Sequence, residues 1–89
     1  MRSKRSRRFR NLLQNLPPDI KLQAYAAYRL FKDDPYHPGL HFKQVSESQN
    51  LYSVRIGKGY RALGLRETDD LIVWLWIGTH AEYDKILSH

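Results

Sequence analysis

The side chains of this sequence best suited to moving a proton or holding a phosphate are gathered between Leu51 and Tyr83. His80 and Tyr83 follow an apolar run and lie three residues apart, so on a helical turn they share one side. An imidazole there can give or take a proton near neutral pH. The same spacing equally suits a histidine that caps the helix or a hydrogen-bonded edge residue. Arg55 and Arg61 fall on two successive extended segments. Set side by side on one sheet face, their planar guanidinium groups would clamp a phosphate bidentately. Strand register decides this, since a slip of one residue reverses the face. Glu67, Asp69 and Asp70 are the competing partners, in which case the arginines are structural.

Other constellations exclude themselves. His37 and His41 have the i, i+4 spacing of a helical metal pair, but Pro38-Gly39 between them breaks a helix and no cysteine or third ligand is near, so no metal site is expected. Gly57-Lys58-Gly59 joins two strands, and no helix follows to receive a pyrophosphate, so it is no dinucleotide loop. There is no GxSxG elbow, and Ser53 has no identifiable base partner.

The elements that must position these residues follow from periodicity. Leu51 to Gly57 alternates, with Tyr52, Val54 and Ile56 on one face and Ser53 and Arg55 on the other. The glycine turn returns the chain as Tyr60 to Arg66, where Arg61, Leu63 and Leu65 share a face. After the polar turn Glu67 to Asp70, Leu71 to Ile77 is apolar at almost every position, as an interior strand covered on both faces would be. Upstream, Phe9, Leu12, Leu13 and Leu16 recur at helical spacing, predicting a helix over Arg7 to Asn15. Pro17 and Pro18 end it and open a second, about Pro18 to Lys32, with Ile20, Ala24, Ala27 and Phe31 on one stripe. Asp33 to Gly39 breaks the chain, Leu40 to Val45 reads as a short extended piece, and Met1 to Ser6 as either an edge strand or disordered. The expected architecture is a single α+β domain over residues 1 to 89, with an N-terminal helical hairpin packed on a small, mainly antiparallel sheet of three to four strands.

At 89 residues there is room for one compact core. The net charge of +6 is not spread evenly. Arg2, Lys4, Arg5, Arg7, Arg8 and Arg10 stand in the first ten residues without an acid, and the remainder balances nine basic against nine acidic side chains. Such a segment attracts a phosphate backbone or an acidic protein, or is simply a solvated helix face. A targeting peptide is the third reading, weakened because the basic run continues into an amphipathic helix. No apolar run is long enough to span a membrane, and the absence of cysteine suits a reducing cytoplasm.

Three runs in order, Tyr52-Ser53-Val54-Arg55-Ile56-Gly57, Gly59-Tyr60-Arg61-Ala62-Leu63 and Trp74-Leu75-Trp76-Ile77-Gly78-Thr79-His80, resemble the RelE/ParE superfamily of bacterial toxins. Phe9, Leu12-Leu13, Leu16-Pro17-Pro18, Asp34-Pro35 and His37-Pro38 match its members too. The resemblance implies a sheet cradling a helical hairpin, with the open concave face as the working surface. It implies ribosome-dependent cleavage of messenger RNA by 2′-hydroxyl attack on the adjacent phosphate, without a cofactor. Its catalytic residues would be Arg61 on the scissile phosphate, His80 in proton transfer, and Tyr83 donating a proton or stacking on a base. Arg55, Lys43 and Lys58 would add phosphate or RNA contacts. The implied partners are a cognate antitoxin, in a hetero-oligomer, and the ribosome with its messenger, all cytoplasmic. The superfamily also contains non-nuclease toxins acting on DNA gyrase, and a catalytically inactive binding module is the third possibility.

Overall fold

Several secondary-structure boundaries in the computed structural model, which describes residues 1–88, have a local cause in the sequence. Strand β1 (Arg2–Arg5) leads to helix α1 (Arg7–Gln14), whose first turn is capped by Ser6, its Oγ accepting from the Phe9 N–H at 3.1 Å. Pro17 and Pro18 stop α1 and begin α2 (Pro18–Asp33). A single 3-10 turn at Pro38–Leu40 and a left-handed His41 (φ 48°) redirect the chain into β2 (Lys43–Ser46). Then come β3 (Leu51–Ile56), β4 (Tyr60–Thr68) and β5 (Leu71–Thr79), and the chain closes with α3 (His80–Leu87).

The strands form one sheet in the order β1-β5-β4-β3-β2, antiparallel except for β1 beside β5. The α+β class with helices α1 and α2 on one face is as expected, but the sheet has five strands rather than three or four. Two short edge strands account for the difference. β1 reads RSKR and carries no apolar alternation; the signal for its place lies in its neighbour β5, whose all-apolar run requires cover on both sides. The extended piece expected from Leu40 starts only at Lys43, because Leu40 is fully buried in the 3-10 turn.

One core lies between the sheet and the helices. Phe9 and Leu13 of α1, Ala24 and Phe31 of α2 and Leu40 pack on Val54, Ile56, Ala62, Ile72, Trp74 and Ile77. Phe31 sits edge-on to Trp74 at a centroid distance of 5.3 Å. A second, smaller cluster lies on the other face, where Tyr83 of α3 covers Leu63 and Trp76. The concave face is therefore not fully open, as strand patterning alone suggests, but roofed in part by α3.

A β-bulge makes both cores possible. Leu63 pairs with Trp76 and the next residue, Gly64, with Trp74, so Leu75 is the extra residue. Without it, Trp74 and Trp76 would share a face; with it, one ring enters each core.

Candidate functional site

On the face away from α1 and α2, the registers build two rows. Lys43, Ser53, Leu63 and Trp76 lie abreast across β2, β3, β4 and β5, and Arg55, Arg61 and Gly78 form the next row toward the β3–β4 turn. The question left open by spacing is answered here: Arg55 and Arg61 are direct cross-strand partners on one face. Directly opposed like charges are destabilising in a sheet.

Neither arginine forms an ion pair among the described residues. Arg55 Nε donates to the Gly57 carbonyl at 2.9 Å, and one Arg61 terminal nitrogen to the Tyr60 carbonyl at 2.8 Å. Both are half-buried. Of the acids considered as their partners, Asp70 pairs with Arg2, and the Asp69 carbonyl takes Arg66. The two guanidinium groups keep donors free to face an anion.

The β3–β4 turn and α3 close the same end of the sheet. Gly57 takes a positive φ of 59° that lets the chain reverse, leaving Lys58 exposed at the tip. The His80 N–H donates to the Gly59 carbonyl at 2.8 Å, which ties the start of α3 to that turn. Gly78 faces Arg61, so only Thr79 separates the arginine's cross-strand partner from His80. Lys43 is exposed on the same face, one row further in at the β2 edge.

A capping box holds His80 in place. Thr79 Oγ1 accepts from the Glu82 N–H at 3.2 Å, and Glu82 Oε1 accepts from the Thr79 N–H at 3.0 Å. The bond from the Thr79 backbone, backed by its hydroxyl, lowers the Glu82 carboxyl below its ordinary pKa. Thr79, not His80, is thus the cap, and the imidazole stays exposed at the first helical position. Its ring stacks on Tyr83 (centroids 5.8 Å apart, planes 19° apart), and its Nε2 is 3.6 Å from Asp84 Oδ1.

Tyr83 occupies a different kind of place. It is only 7% exposed, and its hydroxyl donates to Ser53 Oγ at 3.1 Å. The structure thus puts Arg55 and Arg61 side by side on one face, with Lys43 one row further in, and Lys58 and His80 at the same end of the sheet, His80 stacked on Tyr83. Ser53, set aside as a nucleophile for want of a base partner, and Asp84 were not among the expected site residues. The signal for Ser53 was present, a lone hydroxyl on a strand otherwise flanked by apolar and basic residues, but its partner lies thirty residues away.

Two further clusters lie apart from this site. Arg66 is on the helix side, opposite Ile72, with its guanidinium over the Tyr52 ring at 5.2 Å; its bond to the Tyr52 hydroxyl raises its pKa further. His37 is engaged by the Gly39 N–H at 3.0 Å, and among the described residues no three His, Asp or Glu side chains gather to hold a metal. No described helix is long and apolar enough to cross a membrane.

The model of the ParE-like toxin domain matches residues 18–85. No curated protein sequence matches significantly. Among solved structures, the chain is similar to the RelB–RelE antitoxin–toxin complex of Methanococcus jannaschii, with a TM-score of 0.72 at 15% identity over 93% of this chain and 96% of that one. It is similar to the archaeal RelE–RelB complex of Pyrococcus horikoshii OT3, with a TM-score of 0.68 at 20% identity over 88% and 92%. The RelBE2 toxin–antitoxin complex of Mycobacterium tuberculosis gives 0.64 at 23% identity over 88% and 95%. At such identities the likeness is one of fold.

Proposed function

We propose that this chain, which belongs to the ParE-like toxin domain family, is the toxin of a type II toxin–antitoxin pair and cuts messenger RNA on the ribosome. The observation that carries the reading is the Arg55–Arg61 couple, without an ion-pair partner among the described residues, at the end of the sheet where exposed Lys58 and His80 also stand. Two half-buried arginines held opposite each other with no carboxylate partner among the described residues cost stability, and a bound anion would offset that cost.

The chemistry needs three things. A ribose 2′-hydroxyl attacks the adjacent phosphorus, the P–O5′ bond breaks, and a proton leaves the nucleophile while another reaches the 5′-oxygen, giving a 2′,3′-cyclic phosphate and a free 5′-hydroxyl. Arg61 and Arg55 are assigned the charge that grows on the phosphorane, through fixed donors in a partly desolvated place. His80 is assigned proton transfer, for which an imidazole is suited near neutral pH. Lys58 and Lys43 are assigned flanking phosphates along the strand. Tyr83, buried with its hydroxyl committed to Ser53, is assigned support of His80 rather than contact with RNA. No step calls for a cofactor.

An antitoxin partner is supported by the three solved relatives, each of which is a toxin–antitoxin complex. A site on the ribosome implies a cytoplasmic location. The test is cleavage of translated messenger on ribosomes by wild type, Arg61→Ala and His80→Gln. Loss of about 100-fold or more in both variants is expected. Unchanged cutting by both sinks the assignment, and broken chromosomal DNA beside intact messenger after induction would move the target to DNA gyrase.

A further inference from the structure

Ser53 is the one polar residue buried among the described residues, at 2% exposure, and it lies in the middle of β3 between Tyr52 and Val54. A hydroxyl there costs free energy unless it is bonded. Alanine at 53 with phenylalanine at 83 would keep the packing around both side chains, less two oxygens, and leave no polar group to satisfy, a replacement that is often nearly neutral for stability. Holding the fold together therefore does not require the pair. What it fixes is the ring of Tyr83, tethered at its far end to the sheet by the 3.1 Å bond.

That ring is the surface on which His80 lies. The two planes are 19° apart with centroids at 5.8 Å, an offset stack, and Asp84 Oδ1 stands 3.6 Å from the imidazole Nε2 one turn along α3. His80 itself is exposed, so no core packing sets its rotamer. We propose that Ser53 is a positioning residue: by holding the Tyr83 hydroxyl it fixes the ring against which the His80 imidazole is oriented toward the Arg55–Arg61 row.

The inference rests on the nuclease reading for its catalytic consequence, but the positioning has a readout of its own. Displacing a proton-transfer group by a fraction of an ångström slows chemistry without weakening the phosphate contacts. Ser53→Ala and Tyr83→Phe, each verified as folded by thermal unfolding, are expected to lower the single-turnover cleavage rate on ribosomes about 10- to 100-fold with KM within about twofold. The double variant should be no slower than either single one, because both remove the same bond. Ser53→Thr, which keeps the acceptor, should restore most of the rate. If Tyr83→Phe is far slower than Ser53→Ala, the tyrosine hydroxyl acts on RNA directly and the proposal falls; additive losses overturn it as well.

Nuclear magnetic resonance of the free protein separates the two claims. The carbon-bound ring protons of His80 are shifted by the Tyr83 ring current, and Ser53→Ala should move them toward their values in Tyr83→Leu. Unchanged His80 resonances in Ser53→Ala overturn the proposal whatever the RNA does. Displaced resonances in a protein whose wild type cuts no messenger would uphold the positioning and fail the nuclease reading alone.

Discussion

Arg55 and Arg61 stand directly opposite each other across the β3–β4 ladder, and among the described residues each donates only to a nearby backbone carbonyl. On the function proposed above, this arrangement trades stability for anion binding. A like-charge cross-strand pair costs about 0.2–1 kcal/mol relative to neutral residues. Arg55→Thr, which keeps a good strand former, is expected to raise Tm by about 2–4 °C at low salt. The gain should shrink in high salt, where the repulsion is screened in the wild type too. Thermal unfolding at two ionic strengths checks this, and a lower Tm for the variant at low salt would show that Arg55 stabilises the sheet.

The capping box at Thr79 and Glu82 makes the placement of His80 sensitive to acid. The Glu82 pKa is lowered in the fold from an ordinary value of 4.5, so its contribution is fully present above that pH and is lost as pH falls through the lowered value. Amide exchange in α3 should quicken in that acid range in the wild type, and Glu82→Gln should flatten this dependence. Thr79→Ala removes the other half of the box and should cost about 1 kcal/mol at neutral pH. Equal acid sensitivity in Glu82→Gln would assign the effect to another carboxylate.

Much of this site was legible in the sequence, and what escaped has a physical reason. Alternation put Ser53 and Arg55 on one face of β3 and Arg61 and Leu63 on one face of β4, because one face of each strand had to be apolar for α1 and α2. Register was not legible: it is set by the pairing across the Gly57–Gly59 turn, and only the pairing puts Arg55 beside Arg61. Nor was the bulge at Leu75, since a run as uniformly apolar as LIVWLWI has no alternation in which an extra residue would show. β1 could be read only as an edge strand or disorder for the opposite reason, being all polar and held by backbone bonds to β5. The burial of Tyr83 followed from α3 folding back over Leu63 and Trp76, a tertiary contact invisible in the spacing of His80 and Tyr83.

The bulge leaves a mark that can be tested at Gly64, which pairs with Trp74. A Cβ there would stand 2.7 Å from the Trp74 ring and 2.8 Å from the Ile72 side chain, both in the main core. Neither can yield easily, because Ile72 is wholly buried and Trp74 packs on Phe31. Gly64→Ala should therefore destabilise by about 1–3 kcal/mol through overpacking, even though glycine inside a strand is otherwise the less stable residue of the two. Gly59→Ala, where a Cβ meets nothing within 4 Å, is the matched control and should change stability by less than about 0.5 kcal/mol. Chemical denaturation of the two variants decides it; equal midpoints would mean that the core relaxes around the added methyl.

The basic N-terminal segment is not a loose arm, and this changes how its role must be tested. β1 is bonded to β5 along its length, with the Arg2 N–H on the Asp70 carbonyl at 2.9 Å and the Ser6 N–H on the Trp74 carbonyl at 3.0 Å. Deleting residues 1–5 would uncover the β5 edge and unseat Met1 from the core, so lost binding after truncation would say nothing about charge. The exposed arginines of α1 are the better probe. Arg7, Arg8 and Arg10 crowd the positive end of that helix with no acid in its first turn, an arrangement that costs stability. Replacing all three by glutamine should leave Tm unchanged or slightly higher. If they grip an RNA backbone, the slope of log affinity against log salt for a single-stranded RNA should fall by about 2, as expected for three lost phosphate contacts. An unchanged slope would make them a solvated surface, and leave the Arg55–Arg61 face as the proposed RNA contact.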